Sequence, residues 1–166
     1  TIKVGDFSLG GETVMFRHDK TFVSRTLYAM NVCDCMDAAA IDERIAKVAA
    51  VDYERISERM YVEFVQVVHS ANADEAAYLT AVEKAKATGR AMILNVKCPD
   101  LAAKALEIVK GVPTILNGAN EENYEAMNKL ATEAGAVLGV TASSLDALYD
   151  LVGKIEALGN KNLILA

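Results

Sequence analysis

The densest group of ionisable side chains is the run Arg17, His18, Asp19 and Lys20 within GGETVMFRHDKTF (10–22). A histidine beside a carboxylate and two cations could transfer protons, because histidine changes charge close to neutral pH. The same charges could instead pair locally at a structural joint, or mark a protein family. The run alone leaves all three roles open.

The three cysteines are the next residues with reactive chemistry. Cys33 and Cys35 form a Cys-x-Cys motif, and Cys98 stands apart from them. Three cysteines cannot supply a four-cysteine zinc or iron–sulfur site. An odd, small count in an acidic chain favours a reducing cytoplasm without a disulfide framework. We therefore interpret Cys33 and Cys35 as small, partly buried residues at a strand end, and predict no metal site.

Polar side chains follow several apolar runs, where parallel strands would gather ligands. His69 could be a general base, or could hydrogen-bond the loop after the second strand. Asn95 and Asn117 could recognise a flat heterocycle through paired hydrogen bonds, or could cap helices and tie loops. Further polar residues at these ends are Ser70, Lys97, Thr141 and Asn120, the last predicted as a helix N-cap. No acidic residue ends a strand after the first, which argues against paired catalytic carboxylates.

The elements that would position these residues repeat along the chain. Short aliphatic runs are typical of parallel strands buried on both faces, as in 64–68, 91–96, 113–117, 136–140 and 162–166. Amphipathic stretches between them predict helices, such as the stripe Leu145, Leu148, Val152 and Ile155. Glycines stand where the helices should end, at Gly89, Gly111, Gly135 and Gly159.

The N-terminal part has a different pattern. Residues 1–17 predict a β-hairpin that turns at Gly10–Gly11, and the βα units then occupy 26–166. A helix should begin near Asp37. The six parallel strands are expected to begin near residues 27, 62, 91, 113, 136 and 162.

Six such strands suit either an open doubly wound sheet or a (β/α)8 barrel. A leading hairpin often plugs a barrel floor, which favours the barrel, although a whole barrel needs about 250 residues. We predict an α/β fold in which residues 1–166 are one partial TIM-barrel domain. Because an incomplete barrel leaves strands unpaired, we also expect dimerisation through its open edges.

Overall charge and hydropathy narrow the classes of function. The formal net charge is −6, and no basic run is present, which argues against nucleic-acid binding. No apolar run approaches the length of a membrane span, and the N-terminus does not look like a signal peptide. We therefore expect a cytoplasmic protein.

The stretch GGETVMFRHDKTF also resembles a segment of the large (gamma) subunit of the corrinoid/iron–sulfur protein. This protein is the methyl carrier of the acetyl-CoA decarbonylase/synthase, or carbon monoxide dehydrogenase, complex. The similarity extends over most of the chain and includes YERI (53–56), FVQVV (64–68), PTILNGANEENYEAMNKLA (113–131) and LVGKIEALGNKNLIL (151–165). The opening motif carries most of its specificity, since the later segments are generic βα sequence.

The resemblance implies a role in anaerobic one-carbon metabolism. Family members combine a [4Fe-4S] domain, a central TIM barrel and a corrinoid-binding (cobalamin-type, cobalt-containing) domain. They accept a methyl group from methyltetrahydrofolate or methyltetrahydropterin through a methyltransferase, and pass it to acetyl-CoA synthase. Their barrel pairs with the small subunit.

This chain matches only the central barrel of that family. We expect a scaffold and subunit-contact domain that is not catalytic alone and binds no corrinoid, cluster or metal. Arg17 to Lys20 then mark the family at the joint between hairpin and barrel. The rival interpretation is a pterin-dependent methyltransferase barrel, in which Asn95 and Asn117 would bind the pterin.

Overall fold

The computed structural model of the protein describes residues 1–10 and 26–165. Within these residues the strands are β1 (Ile2–Val4), β2 (Phe7–Leu9), β3 (Ala29–Cys33), β4 (Asp52–Arg55), β5 (Glu58–Tyr61), β6 (Phe64–Val68), β7 (Ala91–Asn95), β8 (Thr114–Ala119), β9 (Val137–Val140) and β10 (Leu163–Leu165). The helices are α1 (Ala38–Ala50), α2 (Glu75–Lys86), α3 (Pro99–Ile108), α4 (Tyr124–Ala134) and α5 (Leu145–Ala157).

Six strands form one parallel sheet in the order β3, β6, β7, β8, β9, β10. A helix lies in each connection between neighbouring strands. A doubly wound sheet reverses its strand order at a switch point, whereas a βα barrel adds strands in one direction. The unbroken order therefore confirms the predicted barrel-type α/β fold with six parallel strands, each starting within two residues of the expected position.

The outer face of the sheet carries the main hydrophobic core. Val65, Leu94, Leu116 and Leu138 lie on successive strands and are fully buried. They belong to one apolar cluster with helical residues such as Ile155. Burial on this face holds the helices against the sheet, as the amphipathic stripes predict.

The inner face has a separate apolar cluster where the strands begin. Phe64, Ile115 and Val137 pack there against Val4 and Phe7 of the N-terminal hairpin. The rings of Phe7 and Phe64 are tilted, with centroids 5.3 Å apart. The hairpin thus covers the amino end of the inner face, as a barrel plug would.

The turn of this hairpin is not at the predicted position. Val4 pairs with Phe7, and Ile2 with Leu9, so Gly5 and Asp6 form the turn and Gly10 follows the second strand. Gly5 has φ +57°, which a glycine adopts readily. Ile2–Leu9 are therefore not the single first strand of the predicted hairpin, whereas the predicted turn at Gly10–Gly11 and residues 11–17 reach outside the described residues and stay a prediction.

A second hairpin, β4–β5, was not predicted. Its tip residues Ile56 and Ser57 have φ +51° and +61°. Isoleucine rarely adopts positive φ, so the sequence carries no usual turn signal there. The guanidinium of Arg90 lies 3.8 Å from the ring centre of Tyr61, which ties this hairpin to the start of β7.

The helix ends follow the predictions more closely. Asp37 is the N-cap of α1, and its side chain accepts a hydrogen bond from the amide of Ala40 at 2.8 Å. The four predicted stop glycines, Gly89, Gly111, Gly135 and Gly159, all have positive φ. In the part of the chain that the structure describes, no helix is long and apolar enough to cross a membrane.

Candidate functional site

The carboxyl ends of the parallel strands bring one row of side chains together on the inner face. Cα pairing joins Cys33 to Val68, Val68 to Asn95, Asn95 to Asn117, and Asn117 to Gly139. Their neighbours along each strand belong to the outer core, so this row faces the opposite side of the sheet. Two amide side chains predicted from sequence are therefore direct neighbours.

Asn117 is distinguished in this row by the hydrogen bonding of its side-chain oxygen, Oδ1. Its Oδ1 atom is buried and finds no hydrogen-bond partner among the described residues. Unsatisfied buried oxygens are uncommon because losing water without a replacement costs free energy. Among the described residues, the side-chain amide of Asn117 neither caps a helix nor ties a loop, so its role in ligand recognition stays a prediction.

The backbone around Asn117 is irregular. The register between β8 and β9 shifts between Asn117 and Ala119, as at a β-bulge. Gly118 has φ +125°, and a Cβ there would stand 2.3 Å from the carbonyl oxygen of Val96. Only glycine permits this close approach of β8 to the end of β7.

His69 contacts a carboxylate that the sequence analysis did not connect with it. Its Nδ1 atom lies 2.5 Å from Oδ2 of Asp34, and the Asp34 side chain is fully buried. Oδ1 of Asp34 accepts a hydrogen bond from the backbone amide of Ser70 at 2.9 Å. His69 thus links the loops after β3 and β6 through Asp34.

The sequence contains only part of the information that predicts the Asp34–His69 contact. Each residue directly follows a strand, and β3 and β6 are parallel neighbours whose last residues, Cys33 and Val68, pair in register. Residues at equal offsets from such ends must lie side by side. The pairing of those two strands, known only from the sheet order, is what joins them.

Tyr78 of α2 packs against the ring of His69. The two rings meet edge to face, with centroids 5.2 Å apart. The Tyr78 hydroxyl donates a hydrogen bond to the carbonyl oxygen of Val67 at 3.3 Å. Burial raises the pKa of Tyr78, and the negative charge of Asp34 adds to this effect. Tyr78 therefore remains a neutral hydrogen-bond donor, and its ring contacts that of His69.

Asn120, which follows β8, does not have the helix-capping role that was predicted for it. Asn120 is not the N-cap of α4, since the helix begins at Tyr124 with Asn123 before it. The side chain of Asn120 instead accepts hydrogen bonds from the amides of Glu122 and Asn123 in the preceding turn. An Asx turn of this kind satisfies the local backbone before the helix starts.

Asn123, which the sequence analysis missed, joins the loops of two strands. Its Nδ2 donates to the carbonyl oxygens of Lys97 at 2.7 Å and Gly118 at 3.2 Å. Its Oδ1 accepts from the amide of Asn120 at 2.7 Å. The ends of β7 and β8 are thereby held together, which keeps Asn95 beside Asn117.

The cysteines also differ from the prediction. Cys33 and Cys35 are joined by a disulfide, with Cα atoms 5.2 Å apart, whereas Cys98 is free and exposed. The expectation of a chain without disulfides is therefore wrong for this pair. A separation of only two residues gave no indication that the β3 end would turn enough to bring both sulfur atoms together.

The remaining candidates do not join this group in the same way. Ser70 contributes its backbone amide to Asp34, and the Lys97 side chain is exposed. Arg17, His18, Asp19 and Lys20 lie outside the described residues. Among the residues that are described, no three His, Cys, Asp or Glu side chains form a group able to hold a metal ion.

The fold and the polar row define a barrel-type βα domain whose mouth lies at the carboxyl ends of the parallel strands. The chain is similar in fold to dihydropteroate synthase from Thermus thermophilus, with a TM-score of 0.61 and 17% identity. That similarity covers 84% of this chain and 57% of the solved chain. At this identity it supports the fold alone.

The chain belongs to the family described as CO dehydrogenase/acetyl-CoA synthase delta subunit, whose sequence profile matches residues 4–166. It is 34% identical over 158 residues to the corrinoid/iron–sulfur protein large subunit of Moorella thermoacetica, covering 95% of this chain and 35% of that protein. It is 33% identical over 171 positions to acetyl-CoA decarbonylase/synthase complex subunit gamma 2 of Methanosarcina mazei, covering 99% and 36%. These matches confirm the resemblance found in the sequence. The chain spans about a third of the length of these relatives.

Proposed function

We propose that this chain is the central barrel region of a corrinoid/iron–sulfur methyl carrier in acetyl-CoA synthesis or cleavage. The observation that carries the proposal is the match of nearly the whole chain to the large subunit of that protein. The complete protein would carry a methyl group from methyltetrahydrofolate or methyltetrahydropterin to acetyl-CoA synthase in the cytoplasm of an anaerobic cell. This region would serve as scaffold and subunit contact, and would not be catalytic by itself.

Two exposed apolar side chains support the subunit-contact role. Leu145 and Tyr149 of α5 are 81% and 84% exposed and lie one helical turn apart. Large apolar side chains grouped on a surface are typical of interaction sites. The partners would be the small subunit, the methyltransferase and acetyl-CoA synthase. We assign α5 to the contact with the small subunit.

The test is subunit assembly of the full-length protein carrying Leu145→Ser and Tyr149→Ser. We expect weaker association with the small subunit in size-exclusion chromatography, because the change removes apolar contact area. Lys129→Ala on α4, also exposed, is the matched control and should leave association unchanged. Normal assembly of the double variant would contradict the contact assigned to α5.

A second test concerns the family motif outside the described residues. In the full-length protein, Arg17→Ala with His18→Ala should lower stability without abolishing methyl transfer, because we assign these residues a local structural role. Methyl transfer that is lost while folding and assembly stay normal would show that the motif acts in catalysis.

The open edges of the sheet are a further contact surface. Within the described sheet, β3 pairs only with β6, and β10 only with β9. Unpaired strand edges readily bind another strand. We propose that the isolated chain dimerises through these edges, and sedimentation at micromolar concentration tests this. A stable monomer would contradict it.

Cofactor binding is proposed for the complete protein only. A corrinoid and a [4Fe-4S] cluster would be held outside this region, so the isolated chain should be colourless. Metal analysis and a visible spectrum of the washed chain test this expectation. Stoichiometric cobalt or iron would contradict it.

A pterin-dependent methyltransferase barrel is the second candidate function. It is favoured by the neighbouring amides of Asn95 and Asn117 and by the unpartnered Oδ1 of Asn117. Paired amides can bind the edge of a flat heterocycle. Calorimetry with methyltetrahydrofolate distinguishes the candidates. Micromolar binding that is lost in Asn95→Ala would favour the enzyme over the scaffold.

A further inference from the structure

The Cys33–Cys35 disulfide lies at the mouth of the barrel. Cys33 ends β3 and is half-buried in the inner row, while Cys35 is exposed in the following turn. The backbone amide of Cys35 lies 3.3 Å from Sγ of Cys33. Cys35 is therefore the more exposed residue of the pair, and Cys33 is the more buried one.

A purely structural role does not account for this bond. A disulfide stabilises chiefly by closing a loop in the unfolded chain, and the gain is smallest for the shortest loops. This bond spans a single intervening residue. Its backbone is already held by other contacts, since the amide of Asp34 donates to the carbonyl oxygen of Val68 at 3.2 Å.

The residue between the two cysteines gives the pair a charged neighbour. Oδ1 of Asp34 lies 3.8 Å from Sγ of Cys33, and the side chain is fully buried. Its other oxygen contacts His69, whose side chain is 21% exposed. A buried carboxylate at this distance disfavours a thiolate on Cys33 and accepts a hydrogen bond from the neutral thiol.

We propose that Cys33 and Cys35 form a redox-exchangeable dithiol–disulfide site that reacts with small monothiols. A thiolate from the monothiol attacks Sγ of exposed Cys35 and forms a mixed disulfide. The Cys33–Cys35 bond breaks, and its electron pair goes to Sγ of Cys33, which takes a proton from water. A second thiolate attacks the monothiol sulfur of the mixed disulfide and releases Cys35.

The overall exchange is balanced. Two monothiol molecules are oxidised to one symmetrical disulfide, and the protein disulfide is reduced to two thiols. The two protons that the monothiols lose equal those that Cys33 and Cys35 gain. The site goes beyond the proposed scaffold function, and no step depends on a corrinoid or a cluster.

The first experiment measures this exchange in mixtures of reduced and oxidised glutathione, followed by alkylation, tryptic digestion and mass spectrometry. Cleavage after Arg25 and Arg44 releases both cysteines of the site in peptide 26–44. This peptide should change from no adduct to two as reduced glutathione increases. The peptide of exposed Cys98 is the single-thiol comparison, and it should be alkylated where reduced glutathione dominates and carry one glutathione where oxidised glutathione dominates. No adduct at every ratio, or two at every ratio, would overturn the proposal.

The second experiment measures the rate of reduction in Asp34→Asn. The amide can still accept the hydrogen bond from Ser70, so circular dichroism should not change. Removal of the charge makes Cys33 a better leaving group, and we expect reduction to be about three- to tenfold faster. Glu133→Gln, on the exposed surface of α4, is the matched control and should be unchanged. An unchanged rate in Asp34→Asn would overturn the role assigned to that carboxylate.

Discussion

Oδ1 of Asn117 lies only 2.6 Å from the point where a Cβ on residue Gly139 would stand. The two residues are Cα partners on β8 and β9. The amide of Asn117 can keep its position at the mouth because its neighbour has no side chain. Gly139 therefore shapes the candidate site without contributing a functional group.

Gly139→Ala should displace the Asn117 side chain. Overpacking of this kind typically destabilises a protein by about 1–3 kcal/mol, which urea unfolding would measure. The matched control is Gly153→Ala in α5, where a new Cβ meets no atom within 4 Å. That substitution should be stabilising by about 0.5–1 kcal/mol, because alanine favours a helix. Equal effects of the two substitutions would contradict the packing of Asn117 against Gly139.

Gly118→Ala should be more harmful than Gly139→Ala. Its Cβ would meet the backbone oxygen of Val96, which cannot rotate away, and its φ of +125° is unfavourable for alanine. Overpacking and backbone strain together are expected to cost about 2–5 kcal/mol. Thermal or urea unfolding tests this order. A loss no greater than that of Gly139→Ala would show that β8 can shift away from Val96.

Phe64→Ala should loosen the N-terminal hairpin. Phe64 is buried in the inner cluster and packs against Phe7. Truncation of a buried phenylalanine typically costs about 3–5 kcal/mol. A double-mutant cycle with Phe7→Ala should give a coupling free energy of about 0.5–1.5 kcal/mol for the ring pair. Additive effects would indicate that the hairpin does not depend on this contact.

Asp52 should titrate below the ordinary range of an aspartate. Its hydrogen bond to Arg59, at 2.8 Å, is the largest cause that lowers its pKa from 3.8. Because the folded pKa is lowered, the stabilisation is present above the ordinary pKa and is lost as pH falls through the lowered value. Carboxyl NMR titration checks the direction, and Arg59→Gln should return the pKa towards 3.8. A pKa at or above 3.8 in the unmodified protein would contradict the pairing.

The sequence alone determined the class of fold and most of its elements. Aliphatic runs such as FVQVV (64–68) indicate strands, and the apolar stripe on α5 indicates a helix, because strands and helices have different side-chain periods. The glycines after the helices marked their ends for a local reason, since a positive φ depends on the residue itself. His69, Asn95 and Asn117 were placed at strand ends by the same local rules.

Only the tertiary structure decided which of these residues meet. Asp34 and His69 are 35 positions apart, and only the pairing of β3 with β6 brings them into contact. Asn117 faces a space left by Gly139 because β8 and β9 have a particular register. The hairpin tip at Ile56 carries no local turn signal, and the hairpin is held in part by Arg90 stacked on Tyr61. Contacts between distant segments depend on sheet order and register, which local residue preferences do not encode.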